Sequence, residues 1–350
     1  MSSELIVHVV GARPNFIKLA IVYPEFNSSN QLIVHTGQHY DYELSKIFFK
    51  ELNIPEPDYN LNVGSGPHGY QVGEMLKRCE GILVKEGPSL VIVYGDTNST
   101  LAGALAAVKL GIPVVHVEAG LRCGLRYMAE EINRVLVDHM SELLFAPTGT
   151  AVRNLHAEGI REGVYLTGDV MLDLFLRHRD RFSVKNEDFI LATVHRAENV
   201  DNPLRLRAIL EALIECGERV VFPMHPRTRR RIGEFGFGWF FEAKNVEVLK
   251  PLGYVEFLGL MAGAGKVVTD SGGVQKEAFF MGKPCITLRE VTEWVETVEQ
   301  GWNILVGADK VKIVDAIRNF RPKGSPDLSV FGDGRAGERI ADIIRSRLGL

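Results

Sequence analysis

Thr269 to Ala278 reads TDSGGVQKEA, and the rest of the chain is organised around it. The run Lys266-Val267-Val268-Thr269 has the composition of a buried strand, and the segment after Gly273 opens an amphipathic helix. Between them stand Asp270, Ser271, Gly272 and Gly273. Two adjacent glycines let backbone approach a ligand without a β-carbon in the way, and the N–H groups of a helix start favour anionic oxygens. The stretch therefore suits a diphosphate, with Glu277 far enough into the helix to reach a hydroxyl-bearing group such as a ribose. The same residues also fit a plain strand-to-helix turn with Ser271 as N-cap.

At 350 residues the chain is long enough for two domains, each with its own core. Hydrophobic residues make up 46% and charged residues 24%, the balance of an ordinary soluble protein. The net charge of -4 offers no basic excess for displacing phosphate counterions and argues against a nucleic-acid partner. Cys79, Cys123, Cys216 and Cys285 are isolated and read as reduced thiols of a cytoplasmic protein. The N-terminal MSSELIVHVVGARP has no basic region ahead of its short apolar run, so it reads as a first strand. No stretch is long and apolar enough to span a membrane.

Short apolar runs alternate with helix-length amphipathic segments, the pattern of a parallel sheet covered on both faces. Strands are expected at Leu5–Val10, Leu32–His35, Leu90–Tyr94, Val114–Val117 and Leu143–Ala146. After a polar linker from Arg177 to Asp188 the pattern restarts, with strands at Phe189–Val194, Arg219–Phe222, Val246–Val248, Lys266–Thr269 and Pro284–Thr287. Helices are expected at Phe16–Phe26, Tyr42–Glu51, Gln71–Glu86, Thr97–Lys109, Glu130–His139 and Thr148–Glu158, and Ile54–Gly69 reads as a loop. The expected fold is α/β, two Rossmann-like doubly wound domains, with ligands at the carboxyl ends of strands and in the cleft between halves. The first domain is expected over 1–176, joined by a returning C-terminal helix over 335–350, and the second over 177–334.

Residues able to do chemistry cluster where strands end. GARPNFIK places Arg13 and Lys18 at a helix start, a cation pair for a phosphate or for surface salt bridges. VYGDTNST puts Asp96 just past a strand, as a functional acid or as an N-cap. HVEAGLR puts Glu118 at the next strand end, where capping explains it less well, and MAEEINR opens a helix with Glu130 and Glu131. Acids sharing one pocket repel, which would make one of them an acid and another a base. TVHRAEN and PMHPRTRRR place His195 and His225 after successive strands, and at least one is expected to face the ligand. Phe257 suits an aromatic core or a stacked base. No GxGxxG, Walker A lysine loop or metal-ligand spacing occurs, so no cofactor and no metal is expected.

Taken together, GARPNFIK, HTGQHY, GDTNSTLAGALAA, HVEAGLR, AEEINR, LFAPT, GDVMLD, TVHRAEN, HPRT, TDSGGVQKEA and KPCITLR resemble, in order, the non-hydrolysing UDP-N-acetylglucosamine 2-epimerases. The resemblance implies a glycosyltransferase-B type fold and reversible inversion at C2 of a UDP-sugar, usually UDP-GlcNAc to UDP-ManNAc. It implies elimination of UDP to a 2-acetamidoglucal and re-addition, and a homodimer. By position, Arg13, His195, Leu252, Phe257, Ser271, Gly272, Gly273 and Glu277 would hold UDP. Asp96, Glu118, Glu130, His195 and Lys18 would be catalytic, with Arg134 and His225 in support. It further suggests activation by substrate near Gln38, His39 and Gln71.

The departures concern the sugar. The family's TERPE is here Thr292-Glu293-Trp294-Val295-Glu296, lacking an arginine expected near the nucleotide, and positions 15 and 276, usually acidic, are Asn15 and Lys276. Position 129, usually proline, is Ala129. These variants look more like the branch acting on UDP-2,3-diacetamido-2,3-dideoxyglucuronic acid. If Asn15 and Lys276 face the pocket, the site is less negative by about three charges and suits an acidic sugar; facing solvent, they matter little. Rival readings are a retaining glycosyltransferase of the same fold, a hydrolysing epimerase and a silent nucleotide-sugar sensor.

Overall fold

The computed structural model describes residues 4–26, 29–38, 48–181 and 188–348. His39, most of the helix expected at Tyr42–Glu51 and half of the linker expected from Arg177 to Asp188 lie outside the described residues. The chain divides into two compact units, Met1–Arg177 with Leu328–Leu350, and His178–Asp327.

The first unit carries seven strands: β1 (Leu5–Val10), β2 (Asn30–His35), β3 (Tyr59–Asn60), β4 (Leu90–Tyr94), β5 (Val114–Val117), β6 (Leu143–Ala146) and β7 (Val164–Leu166). Every pairing is parallel and the order is β3-β2-β1-β4-β5-β6-β7. The helices that cover it include α1 (Arg13–Val22), α2 (His68–Glu86), α3 (Asn98–Lys109), α4 (Ala129–Met140), α5 (Gly149–Ala157) and α6 (Val170–His178). Residues of β1 and β4 are buried almost without exception, as both faces of the sheet are covered.

The second unit repeats the plan with six strands, β8 (Ile190–Thr193), β9 (Val220–Pro223), β10 (Val246–Leu249), β11 (Lys266–Thr269), β12 (Cys285–Thr287) and β13 (Asn303–Leu305). They are again all parallel, in the order β10-β9-β8-β11-β12-β13. Helices α7 (Ala197–Val200), α8 (Pro203–Glu215), α9 (Pro226–Glu234), α10 (Tyr254–Gly263), α11 (Gly272–Phe280), α12 (Val295–Glu299) and α13 (Lys310–Asn319) connect them. Ile190, Leu206, Leu210, Phe222, Val268 and Ile313 share its core.

The final helix, α14 (Ala336–Leu348), belongs with the first unit. Gly337 donates its N–H to Asp173 Oδ2 at 2.9 Å, and a β-carbon there would strike Ile21, so glycine permits the close approach to α1. The return begins before this helix, for the Phe331 carbonyl already accepts from Asp169 N at 2.8 Å.

Three strands, β3, β7 and β13, were not expected, and β3 falls within the stretch read as a loop. All three are two or three residues long and lie at a sheet edge, where half-exposed residues leave no continuous apolar run. Helix α1 starts three residues earlier than expected, since Pro14 is tolerated in a first turn.

In each sheet the strand order reverses once, between β1 and β4 in the first unit and between β8 and β11 in the second. The carboxyl ends of strands flanking such a reversal form the crevice in which open α/β sheets hold ligands. Those ends carry Gly11–Lys18 and Gly95–Asp96 in one unit, His195–Arg196 and Asp270–Gly273 in the other.

Candidate functional site

In the first unit Asp96, Glu118 and Glu131 are held by cations. Lys18, 3% exposed, places Nζ 2.5 Å from Glu118 Oε1. Glu118 follows β5 with φ +75°, a left-handed backbone that is unusual for a residue with a side chain and costs roughly 1–3 kcal/mol. The N–H groups of Glu118 and Ala119 both donate to the Phe145 carbonyl, at 3.1 and 3.0 Å, and this holds the turn. Gly95, at φ +63°, leaves room for the pair: a β-carbon there would lie 2.6 Å from Lys18 Nζ.

Asp96 is not a helix cap. Thr97 takes that position, its hydroxyl accepting from Thr100 N, so the Asp96 carboxylate is released to accept from Arg134 at 2.6 Å. Arg134 is buried and also donates to Glu131 Oε2 at 2.7 Å. Glu131 accepts the N–H groups of Cys123 and Gly124, fixing the loop before α4. Glu130 stands half-buried in the first turn of the same helix, where Ala129 occupies the first position. Arg134 lies one turn further on, i+4 from Glu130. Asp96 and Glu118 are thus each paired with a cation, Lys18 for Glu118 and Arg134, shared with Glu131, for Asp96.

Asn15 is buried, away from solvent. Its Oδ1 accepts from Gly11 N and Ala12 N, at 3.1 and 3.0 Å, and its amide donates to the Tyr94 carbonyl at 2.7 Å. It locks the β1 turn to the end of β4, which bears Gly95 and Asp96. Arg13 opens α1 with its guanidinium over the Phe48 ring. Gln38 accepts from the Ser99 N–H and hydroxyl, and Gln71 donates to the carbonyls of Gln38 and Gly64.

In the second unit the organising side chain is Asp270, fully buried after β11. Its carboxylate accepts from His195 N at 3.0 Å, Arg196 N at 3.0 Å and Asn199 Nδ2 at 3.2 Å. This holds the TVHRAEN loop against the start of α11. Ser271 occupies the N-cap position without a side-chain cap bond, and its own N–H donates to Thr269 Oγ1 at 3.0 Å. The first intrahelical bond runs from Gln275 N to the Ser271 carbonyl at 3.2 Å, so the amides of Gly272, Gly273 and Val274 precede it and belong to the helix start. Glu277 is buried one turn in.

Gly272 has a second reason to be glycine. A β-carbon there would collide with Glu293 Oε1 and lie 3.3 Å from the Trp294 indole nitrogen. Glu293 is buried and accepts from Arg289, itself buried, at 2.8 Å. Lys276 is fully buried with Nζ 3.8 Å from the centre of the Trp294 ring, within cation–π range. The two departures at positions 276 and 294 are therefore one contact: where the family pattern has an acid and an arginine, this chain has a lysine on an indole. Burial raises the nearby Glu198 carboxyl above its ordinary range, against the pull of Arg289 and Arg196.

His195 is partly exposed, its ring centre 5.8 Å from that of His225. His225 caps α9, with Nδ1 accepting from Arg227 N at 3.1 Å, so its proton sits on Nε2. Leu252 lies half-buried in the loop before α10, and Phe257 is buried within that helix. In the arginine triplet Arg229-Arg230-Arg231, Arg231 donates to Asp201 Oδ1 at 2.9 Å.

The family model for UDP-N-acetylglucosamine 2-epimerase matches residues 25–345. The chain belongs to this family. That makes the protein an enzyme of the isomerase class. A UDP-N-acetylglucosamine 2-epimerase homolog of Methanococcus maripaludis is 52% identical, with 97% of this chain and 99% of the relative covered. The UDP-2,3-diacetamido-2,3-dideoxy-D-glucuronate 2-epimerase of Pseudomonas aeruginosa is 48% identical over the same shares. The crystal structure of Methanocaldococcus jannaschii UDP-GlcNAc 2-epimerase in complex with UDP-GlcNAc and UDP has a TM-score of 0.91 at 45% identity, covering 98% of this chain and 99% of that one. These 2-epimerase structures have the glycosyltransferase-B type of fold, and so does this chain.

Proposed function

We propose that the protein catalyses reversible inversion at C2 of UDP-N-acetylglucosamine, giving UDP-N-acetylmannosamine. The observation that carries this reading is the pair of switch points. One has carboxylates matched to buried cations, and the other has a glycine helix start with buried Asp270 behind it. In the first step a carboxylate takes the C2 proton while the C1–oxygen bond to the diphosphate breaks. The C–H electrons become the C1–C2 double bond, and UDP leaves with the bonding pair. UDP oxygen then returns to C1 as a proton reaches C2 from the opposite face.

Asp96, Glu118 and Glu130 serve as the acid–base set, with Lys18 beside Glu118, Arg134 behind Asp96, and His195 near the departing diphosphate. Arg13, His195, Leu252, Phe257, Ser271, Gly272, Gly273 and Glu277 hold UDP, and His225 supports His195. No metal or organic cofactor takes part. The enzyme works in the cytoplasm as a homodimer, a reading supported by the buried thiols of Cys79, Cys216 and Cys285 and by the outward-facing Ile132 and Leu136 on α4. Among the described residues no helix is long and apolar enough to cross a membrane.

A second reading, the same chemistry on UDP-2,3-diacetamido-2,3-dideoxyglucuronate, is favoured by the lysine at position 276 and by the similarity to the Pseudomonas aeruginosa enzyme. Incubation with each sugar nucleotide in heavy water, followed by NMR, tests both. Deuterium should enter C2 of both epimers, and comparison of kcat/KM on the two nucleotides identifies the substrate. Interconversion without deuterium at C2 would rule out the elimination route.

A further inference from the structure

Behind the first switch point lies a buried pair that no role above uses. His116 on β5 and Asp138 on α4 are 0% and 1% exposed, with His116 Nδ1 2.7 Å from Asp138 Oδ1. The other ring nitrogen, Nε2, lies 2.7 Å from the Gly95 carbonyl. A carbonyl only accepts, so Nε2 is the donor to it, and Nδ1 faces the carboxylate. The remaining carboxylate oxygen, Oδ2, accepts from Gly120 N at 3.1 Å and from Arg122 at 2.7 Å. Arg122 in turn donates twice to Glu158, at 2.7 Å each.

The connections define the role. Gly95 is the residue before Asp96, and Gly120 follows Glu118 by two. Asp138 stands on α4 eight residues after Glu130 and four after Arg134, so the three share one helix face. One imidazole–carboxylate pair therefore touches the turn of Asp96, the turn of Glu118 and the helix of Glu130 and Arg134. Gly95 and Glu118 both hold left-handed backbone. Gly95 also leaves the space that Lys18 Nζ fills beside Glu118. A hydrogen bond to the Gly95 carbonyl fixes the plane of the peptide that leads into Asp96.

We propose that His116 is a positioning residue, which with Asp138 sets the spacing of Asp96 and Glu118 through the Gly95 and Gly120 turns. The inference rests on the reading that these acids act on the sugar. Misplacement by about 1 Å is enough to lose on the order of a hundredfold in rate. A structural role alone would lower stability and nucleotide binding together with turnover.

The test compares two substitutions of similar size. In His116→Gln the amide nitrogen reaches the position of Nε2 and keeps the bond to Gly95. In His116→Asn the amide nitrogen sits at the position of Nδ1 and keeps only Asp138. We expect His116→Asn to lose about thirtyfold to a hundredfold in kcat, with KM and UDP affinity by calorimetry unchanged, and His116→Gln to recover most of the loss. Equal turnover in both variants and the wild type would overturn the proposal, and so would parallel loss of kcat, UDP affinity and melting temperature in both. If His116→Asn does not fold, Asp138→Asn gives the same comparison: a kcat loss without a change in UDP affinity supports the proposal, and unchanged kcat overturns it. Asp96→Asn is the control. Full turnover there would refute the assignment of the acids, whereas loss there with full turnover in His116→Asn would refute the positioning role alone.

Discussion

The two switch points solve the handling of charge in opposite ways. In the first unit, charge is carried by side chains matched in buried pairs, Lys18 with Glu118 and Arg134 with Asp96 and Glu131. In the second, the helix start of α11 presents backbone amides, and the buried carboxylate of Asp270 is spent on ordering the neighbouring loop. A proton-transfer site needs groups whose charge can change, set in fixed geometry. A site that holds a diphosphate needs donors that never change charge, and backbone N–H groups meet that need. On the proposed reading the same fold, repeated in one chain, supplies both, because each reversal of strand order leaves a crevice whose lining is set by loop sequence alone.

The largest expected effect lies in the first unit. Asp96→Asn, Glu118→Gln and Glu130→Gln should each lower kcat by about a hundredfold or more, while UDP affinity by calorimetry stays within about twofold. An equal loss of UDP affinity would erase the division between the units. Glu277→Gln and His195→Asn should do the reverse, weakening UDP by roughly tenfold with a smaller change in kcat.

Next in size is Lys276→Glu, which buries a carboxylate against the indole of Trp294 and should destabilise the second unit by about 3 kcal/mol, read as a lower melting temperature. Lys276→Met keeps the volume and is the better probe of sugar preference. If the lysine favours an acidic sugar, kcat/KM on the uronate should fall in that variant relative to UDP-GlcNAc; an unchanged ratio removes Lys276 from selection.

A matched pair of alanine substitutions sharpens the comparison further. Gly95→Ala forces a β-carbon toward Lys18 and should act on kcat, and Gly272→Ala pushes against Glu293 and should act on UDP affinity, each by roughly tenfold. The smallest effect is acid sensitivity of the first unit. Burial lowers His8, bonded to Tyr94 and Gln31, to about 4, below the ordinary 6.5. As pH falls the unfolded chain takes up this proton first, so stability is full above about 6.5 and is lost progressively toward 4, by about 1 kcal/mol at pH 5.5. Hydrogen exchange should show the first unit loosening ahead of the second, and His8→Gln should flatten the difference.

What was legible in the sequence was whatever depends on local pattern. Central strands such as β4 and β11 stand out as buried apolar runs, and Asp96, Glu118 and Ser271 are marked by their place at strand ends. Partnerships formed over long sequence distances were not legible. That Lys18 meets Glu118 and that Arg134 reaches Asp96 follow from sheet order, whereas the choice of Thr97 over Asp96 to cap α3 is a local competition between neighbouring side chains. Asn15 shows the limit well: read alone it is a lost acid, yet its side chain ties two strand ends together. Lys276 and Trp294, eighteen positions apart, read as separate departures until a loop brings them into contact. His116 lies in a quoted motif, but nothing local distinguishes a histidine facing a carbonyl from one filling a core.

The return of the chain after Asp327 has a consequence for folding. His178–Asp327 is an insertion within the first unit, whose last helix packs on its first through Gly337 and Ile21. The second unit is one continuous stretch and can close on its own contacts, whereas the first is complete only when α14 packs on α1 from the far side of the insertion. The first unit therefore bears the longer loop closure, and the joining of α14 to α1 is the slower step in assembling the chain.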